Sequence, residues 1–347
     1  MSQKLPNLKQ KIKRWIWVGY ILFHSLKYEL CIYEFKRDTY LKFGIVRPRI
    51  KGWFLIIKRF FSHSRSFVVC NKHLINKKRF VFAKVRGNSV STMLYLMLGI
   101  KWFCEKIKIK VGFAFIKHDD FFRNSELELS RKKHCQILES PTNFKASEVL
   151  INYARVKIPS EYGHKIISKL KIKEELQQQA DVWTNNNLRG DWLAVHYRGT
   201  DTRARAPFRV IEIEHYITYL KEVLDDHSNI FACSDQSQFI DQIHATFPGR
   251  VFSRDIQRSD DKTPLHKKPK YSGNQQKRDA LIDILVLSRA SMVYTTGSYF
   301  VDVIRFLNPA TKIISLDNRG KFYKNIPNYL PVPKLSALKR SKYKWYS

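Results

Sequence analysis

Between Leu193 and Ser315, short apolar runs alternate with longer amphipathic ones, and this alternation restricts the fold more than any other feature of the chain. Leu193–Tyr197, Asn229–Cys233, Val251–Phe252, Ser291–Thr295 and Lys312–Ser315 are brief, rich in β-branched or aromatic residues and bounded by turn formers, which predicts strands. Glu212–Leu224, Gln236–Phe247, Arg278–Ser288 and Tyr299–Phe306 carry apolar residues at helical spacing. Strands that take turns with helices run parallel, because each helix returns the chain to the starting edge of the sheet. The expectation is an α/β domain of Rossmann type, with its carboxyl strand ends gathered at one edge.

That edge is where the charge sits. The first run continues as "LAVHYRGTD", so a core strand ends in His196, Arg198, Thr200 and Asp201. Ser234 and Asp235 follow the second strand, and Thr295, Thr296, Gly297 and Ser298 follow the fourth. A strand that ends in charge makes sense if it faces a ligand cleft. Gly297 and Ser298 open a predicted helix whose first N–H groups could receive an anion such as a diphosphate, although a helix-capping serine has the same appearance. Arg198 has a planar fork suited to phosphate or carboxylate. Asp283, in the apolar helix "ALIDILVLS", is its expected partner, either as a structural salt bridge or to aim it at a ligand. His196 fits a ligand contact or a core histidine equally well.

Upstream, Phe80–Val85 reads as a strand, "RGNS" (Arg86–Ser89) as a turn, Thr92–Glu105 as a helix and Ile107–Phe115 as a second strand. This β-α-β unit has its loop at the carboxyl end of its first strand. The stretch "SEYGHKIISKLKIKEELQQQADVWTNNN" reads as one polar-faced helix and a connection, with a domain boundary near Asn185.

Charge and cysteine content narrow the function classes. With 63 Lys and Arg against 30 Asp and Glu, the net charge is +33, which favours polyanionic partners. No zinc finger, RNP-type motif or long basic helix is present, so nucleic acid is disfavoured. The five cysteines are scattered and lack a C-x-x-C pair, and Asp260–Asp261 reads as a solvated loop; no metal is expected. The apolar run Trp15–Phe23 falls far short of the ~20 residues that span a bilayer, and no small-residue cleavage site follows it. A cytoplasmic chain is expected. Its interleaved aromatic and basic N-terminal residues fit either a peripheral membrane contact or a helix packed on its own domain.

"VHYRGTD", "FACSDQSQFIDQIHATFPG" and "RSDDKTPLHKKPKYSGNQQKRDALIDILVLSRASMVYTTGSYF", in that order, resemble the fucosyltransferase superfamily that includes α1,6-fucosyltransferases and the rhizobial nodulation fucosyltransferase. The match covers roughly Leu193 to Pro309, with "VRGNSVSTMLYLMLGIKWFCEKIKI" similar to the family's Gly-Asn loop and helix. The resemblance implies a GT-B fold of two Rossmann-like domains facing a cleft. It implies an inverting, metal-independent transfer of fucose from GDP-fucose to a glycan acceptor, with no cofactor; the basic N-terminal third would suit a lipid-linked or anionic acceptor. With the boundary near Asn185, the chain is expected to divide into a basic aromatic region 1–65, a Rossmann-like domain 66–185 that the resemblance makes acceptor-side, a Rossmann-like domain 186–320 that it makes donor-binding, and a basic tail 321–347. Carried over residue by residue, it implies that Arg198 contacts the diphosphate and His196 lies in the donor site. Asp235 takes the nucleotide side, Asp283 holds the arginine and donor, and Gly297 and Ser298 form the phosphate-binding turn. His266 lines the donor pocket, and Arg86 and Asn88 reach in from the N-terminal domain.

The segment after the H-x-R motif reads "TRARAPFR", where the family tends to place a glutamate. Asp201, Glu212 and Glu214 are the substitutes at hand for a catalytic base, and Asp201 lies nearest the motif. Two alternatives therefore stay open: another nucleotide sugar as donor, or a basic nucleic-acid- or membrane-binding protein that keeps the fold without turnover.

Overall fold

In the computed structural model the residues described are 12–13, 15–23, 80–85, 90–106, 110–115, 122–123, 136–139, 151, 154–155, 157–169, 171–200, 211–224, 228–261, 263–265, 273–316 and 328–330. They belong to two units, Met1–Ile158 and Pro159–Ser347.

In the first unit, the helical residues 12–13 and 15–23 are taken together as α1. Strand β1 (Phe80–Val85) leads into α2 (Val90–Lys106) and then β2 (Lys110–Phe115), with the short β3 (Phe122–Arg123) and β4 (Gln136–Glu139) after it. The sheet order is β2-β1-β4, all parallel, with Phe80 opposite Lys110 and Val85 opposite Phe115. The expected β-α-β unit is thus present. Helix α2 is buried almost all round, from Val90 and Met93 through Leu98 to Phe103 and Cys104, as suits a core helix rather than a surface one. Among the described residues no helix is long and apolar enough to cross a membrane.

The second unit begins with α3 (Ser160–Ile167), the short β5 (Lys171–Ile172) and α4 (Glu174–Asn187). The single polar-faced helix expected here is two helices. Glu174 and Glu175 open the second one, where carboxylates complement the helix dipole. Then come β6 (Trp192–Tyr197), α5 (Ile213–Val223), β7 (Asn229–Ser234), α6 (Ser237–Thr246), β8 (Val251–Phe252) and α7 (Gly273–Leu287). The chain continues through β9 (Met292–Thr295), α8 (Tyr299–Asp302), α9 (Ile304–Leu307) and β10 (Lys312–Ser315) to β11 (Tyr329–Leu330). That last strand lies in the stretch read as a basic tail and pairs in parallel with β10.

The six strands β6 to β11 form one parallel sheet in the order β11-β10-β9-β6-β7-β8. Counted from β6, this is 3-2-1-4-5-6, the doubly wound arrangement that builds outward from its first strand in both directions. Residues of β6 alternate between two helical layers and are buried on both sides, which is why it reads as a continuous apolar run. Val195 and Tyr197 enter a core with Tyr216, Leu220, Ile230, Phe239 and Ile243. There the rings of Tyr197 and Phe239 stack with centroids 4.9 Å apart, and Tyr216 lies 5.7 Å from Phe239. Truncating Phe239 to alanine would cost about 3–5 kcal/mol. On the opposite face, Phe231 meets Trp183 of α4 edge-on at 5.1 Å, and Cys233 reaches Asp283 of α7.

The helix expected over Tyr299–Phe306 is broken at Val303 into α8 and α9. Bonds of i to i−3 type, Val301 N–H to Ser298 O and Phe306 N–H to Val303 O, tighten both segments. The second segment is held by α3, where His164 Nδ1 lies 3.1 Å from the Phe306 carbonyl and the buried Arg305 donates to Ser160 Oγ.

Candidate functional site

The strand order reverses between β6 and β9, and in open parallel sheets ligands bind in the crevice beyond the carboxyl ends of the strands at such a point. Here the two strands are stitched together beyond their last paired residues. His196 lies opposite Thr295, the Thr296 N–H donates to the His196 carbonyl, and the Arg198 N–H donates to Thr296 Oγ1 at 3.0 Å. His196 is buried, its Nδ1 3.0 Å from Thr295 Oγ1 and its ring stacked on Phe300 at 5.3 Å. Of the residues predicted for the site, His196, Arg198, Gly297 and Ser298 come together at this seam.

Gly297 has φ of +88°, a backbone state that a side chain would strain. This turn lets the Gly297 N–H fold back onto Thr295 Oγ1 at 3.0 Å. Ser298 caps α8 by accepting from the Phe300 N–H at 3.2 Å. The helix is one turn long, which leaves little dipole, and two of the N–H groups at this turn already have acceptors within it.

Asp235 is the hub beside the seam. Its carboxylate accepts from Thr200 Oγ1 and from the Gly199 N–H, and pairs with Arg198 Nη1 at 3.4 Å. A Cβ on Gly199 would fall 2.0 Å from Gln236 Oε1 and 2.7 Å from Tyr197 Cε1, so a side chain there would have to displace both. The loop carrying Asp235 is pinned in turn by Ser259, whose N–H donates to the Asp235 carbonyl at 2.8 Å. Arg198 keeps about a third of its side chain exposed, and its guanidinium pairs with Asp235 at 3.4 Å.

Asp283 does not hold Arg198. Its arginine is Arg254, just past β8, which donates from Nη1 to Asp283 Oδ1 at 2.7 Å and to the Asp279 carbonyl at 2.9 Å. Arg254 Nη2 reaches Asp279 Oδ1 at 3.3 Å. Cys233 Sγ completes the cluster 3.5 Å from Asp283 Oδ2. Burial pushes the Asp283 carboxyl above the usual carboxylate range, with Arg254 pulling it part of the way back. Burial works against the Arg254 charge as well, but its two carboxylates more than offset this. Burial and the Asp283 charge beside it lift the Cys233 thiol. Sequence reasoning missed Arg254, although Asp279 and Asp283 stand four residues apart on one helix face, a pattern that asks for a cation.

Arg86, Asn88, Asp201 and His266 lie outside the described residues. Asp261 accepts from Ser259 Oγ and from the Thr263 N–H within its own loop. Among the described residues there is no group of three or more His, Cys, Asp or Glu placed to hold a metal ion.

No family model matches the chain, and no curated protein matches it. Among solved structures, NodZ alpha-1,6-fucosyltransferase soaked with GDP-fucose is similar at 15% identity, covering 70% of this chain and 96% of that one, with a TM-score of 0.45. Fucosyltransferase NodZ from Bradyrhizobium is similar at 16% identity, covering 69% and 96%, with a TM-score of 0.44. POFUT1 in complex with GDP-fucose is similar at 12% identity, covering 68% and 73%, with a TM-score of 0.32. The similar structures are fucosyltransferases.

Proposed function

We propose that the chain is a glycosyltransferase of the GT-B kind. It takes a sugar from a nucleoside-diphosphate donor, GDP-fucose by the resemblance of its motifs, and passes it with inversion to a glycan hydroxyl. The observation that carries this reading is the crevice between β6 and β9, where a parallel sheet reverses its strand order and a partly exposed arginine stands at the strand end.

In this reading the diphosphate lies across the crevice and Arg198 exchanges its 3.4 Å contact with Asp235 for a paired hydrogen bond to phosphate oxygens. Asp235, still held by Thr200 and Gly199, keeps the arginine aimed. The Ser298 hydroxyl accepts from the backbone and can donate its own proton to phosphate. As the bond from the sugar anomeric carbon to the diphosphate oxygen breaks, the electron pair leaves with the diphosphate, where Arg198 meets it without a metal. The acceptor oxygen attacks from the opposite face and its proton passes to a base, for which Asp201 is the candidate. His196, fixed by Thr295 and Phe300, lines the donor side. Asp283 acts at one remove, by setting Arg254. His266, Arg86 and Asn88 are assigned to the donor pocket by the resemblance alone.

The test is a thermal-shift titration of the full chain with GDP, UDP, GDP-fucose and GDP-mannose, with and without EDTA. Stabilisation by GDP and GDP-fucose that ignores EDTA, and that weakens at least tenfold in apparent affinity in Arg198→Ala, is the expected result. An Arg198→Ala protein that binds GDP as well as the parent, or no response to any nucleotide, would overturn the assignment.

A further inference from the structure

Helix α1 has its apolar residues on the wrong side for a helix that simply covers a core. Val18 and Ile21 are buried, and Lys106 of α2 sits over the rings of Trp17 at 5.2 Å and Trp102 at 4.5 Å. This fixes which face of α1 is turned inward. The other face carries Ile12, Trp15, Ile16 and Phe23, exposed by 52%, 42%, 63% and 61%. At 100° per residue these four span an arc of about 100°, and Tyr20, exposed by 43%, widens it to about 140°. A stripe of large apolar side chains that wide marks an interaction surface, since soluble chains rarely expose contiguous apolar patches.

Charge selects the occupant. In sequence, Lys9, Lys11, Lys13 and Arg14 stand beside these apolar residues, and no acidic residue occurs before Glu29. A second copy of a chain carrying +33 would bring like charge to like charge, whereas an anionic surface attracts both the helix and the rest of the molecule. Tryptophan and tyrosine suit the headgroup level of a bilayer, and a helix with one apolar face and basic residues beside it in sequence lies in the interface. We propose that α1 docks in the plane of an anionic lipid bilayer, with Ile12, Trp15, Ile16 and Phe23 inserted among the acyl chain ends. This surface is independent of the nucleotide crevice and stands or falls without it.

Flotation of the full chain tests the proposal, using vesicles of phosphatidylcholine alone and of phosphatidylcholine with phosphatidylglycerol. The parent protein is expected to float with the anionic vesicles and not with the neutral ones. Ile16→Glu/Phe23→Glu, which alters exposed positions only, should lower the partition coefficient at least about tenfold. Circular dichroism and the mass in solution are measured alongside, and Ile16→Ser/Phe23→Ser serves if the glutamate pair disturbs folding. Equal flotation of parent and variant would reduce the effect to diffuse charge and overturn the proposal, as would failure of the parent to float with either vesicle. A parent that is dimeric in solution, with a monomeric variant, would show the stripe covered by a second copy instead.

Discussion

Replacing Asp283 by asparagine separates a scaffold role from a ligand role at the carboxyl edge of the sheet. Asparagine keeps the shape and leaves an oxygen for Arg254 Nη1, now 2.7 Å from Asp283 Oδ1, but removes the charge and puts an amide where Oδ2 faces Cys233 Sγ. Taking one partner from a buried ion pair costs about 3–5 kcal/mol. Asp279 stays beside Arg254 as counter-charge, which puts the loss near the bottom of that range. For a unit the size of Pro159–Ser347, each kcal/mol moves the midpoint by about 2–4 °C, so a drop of roughly 6–12 °C follows. Asp235→Asn is the matched control. Its partner Arg198 is about a third exposed and 3.4 Å away, and solvent screening holds the loss to about 1 kcal/mol. Urea and thermal unfolding of both variants, with GDP titrations of each, give the answer. Asp283→Asn should lose stability while GDP affinity at low temperature changes little, and Asp235→Asn should do the reverse. An Asp283→Asn protein that melts like the parent but no longer binds GDP would refute the reasoning and return Asp283 to the ligand.

Gly297→Ala forces a side chain into φ of +88° and should cost about 1–2 kcal/mol in urea unfolding, with weaker GDP binding as the turn shifts. Tyr329→Phe removes the hydroxyl that donates to the buried Asp302 carboxylate and should cost about 1–3 kcal/mol; an unchanged midpoint would mean that β11 adds nothing to the domain. Burial pushes the Cys104 thiol up to about 12, against an ordinary value near 8.5. Because the folded value is the higher one, the stability it contributes is complete below pH ~8.5 and is lost as pH rises towards 12. Unfolding followed from pH 7 to 11 should therefore show a decline that Cys104→Ala lessens.

The strands of the second unit were legible because their signal is local. A buried parallel strand is a short apolar run between turn residues, and Lys312–Ser315 and Val251–Phe252 have the predicted limits. Helix interruptions were not legible. The run Tyr299–Phe306 has unbroken helical spacing, and its break at Val303 goes with contacts from α3, some 140 residues earlier in sequence. Tyr329–Leu330 is too short to carry any period and is a strand only because β10 offers an edge. At the site, sequence could nominate Arg198, Asp235 and Asp283 as charged groups near strand ends. It could not pair them, because pairing depends on where β8 places Arg254. The long apolar face of α1 was visible as composition, but which side points outward is set by the packing of Val18 and Ile21.

The sheet order also sets a schedule for biosynthesis. Strand β6 is made first, and β7 and β8 follow on one flank, while the partner for its other flank, β9, emerges almost a hundred residues later. Until then one side of the central strand is an open edge, the kind of template on which nascent chains mispair. Closing that edge and creating the crevice are one event. The half-sheet β6-β7-β8 can exist early, but the seam between β6 and β9 is born only when the second half docks, so a chain stalled before Met292 would lack it.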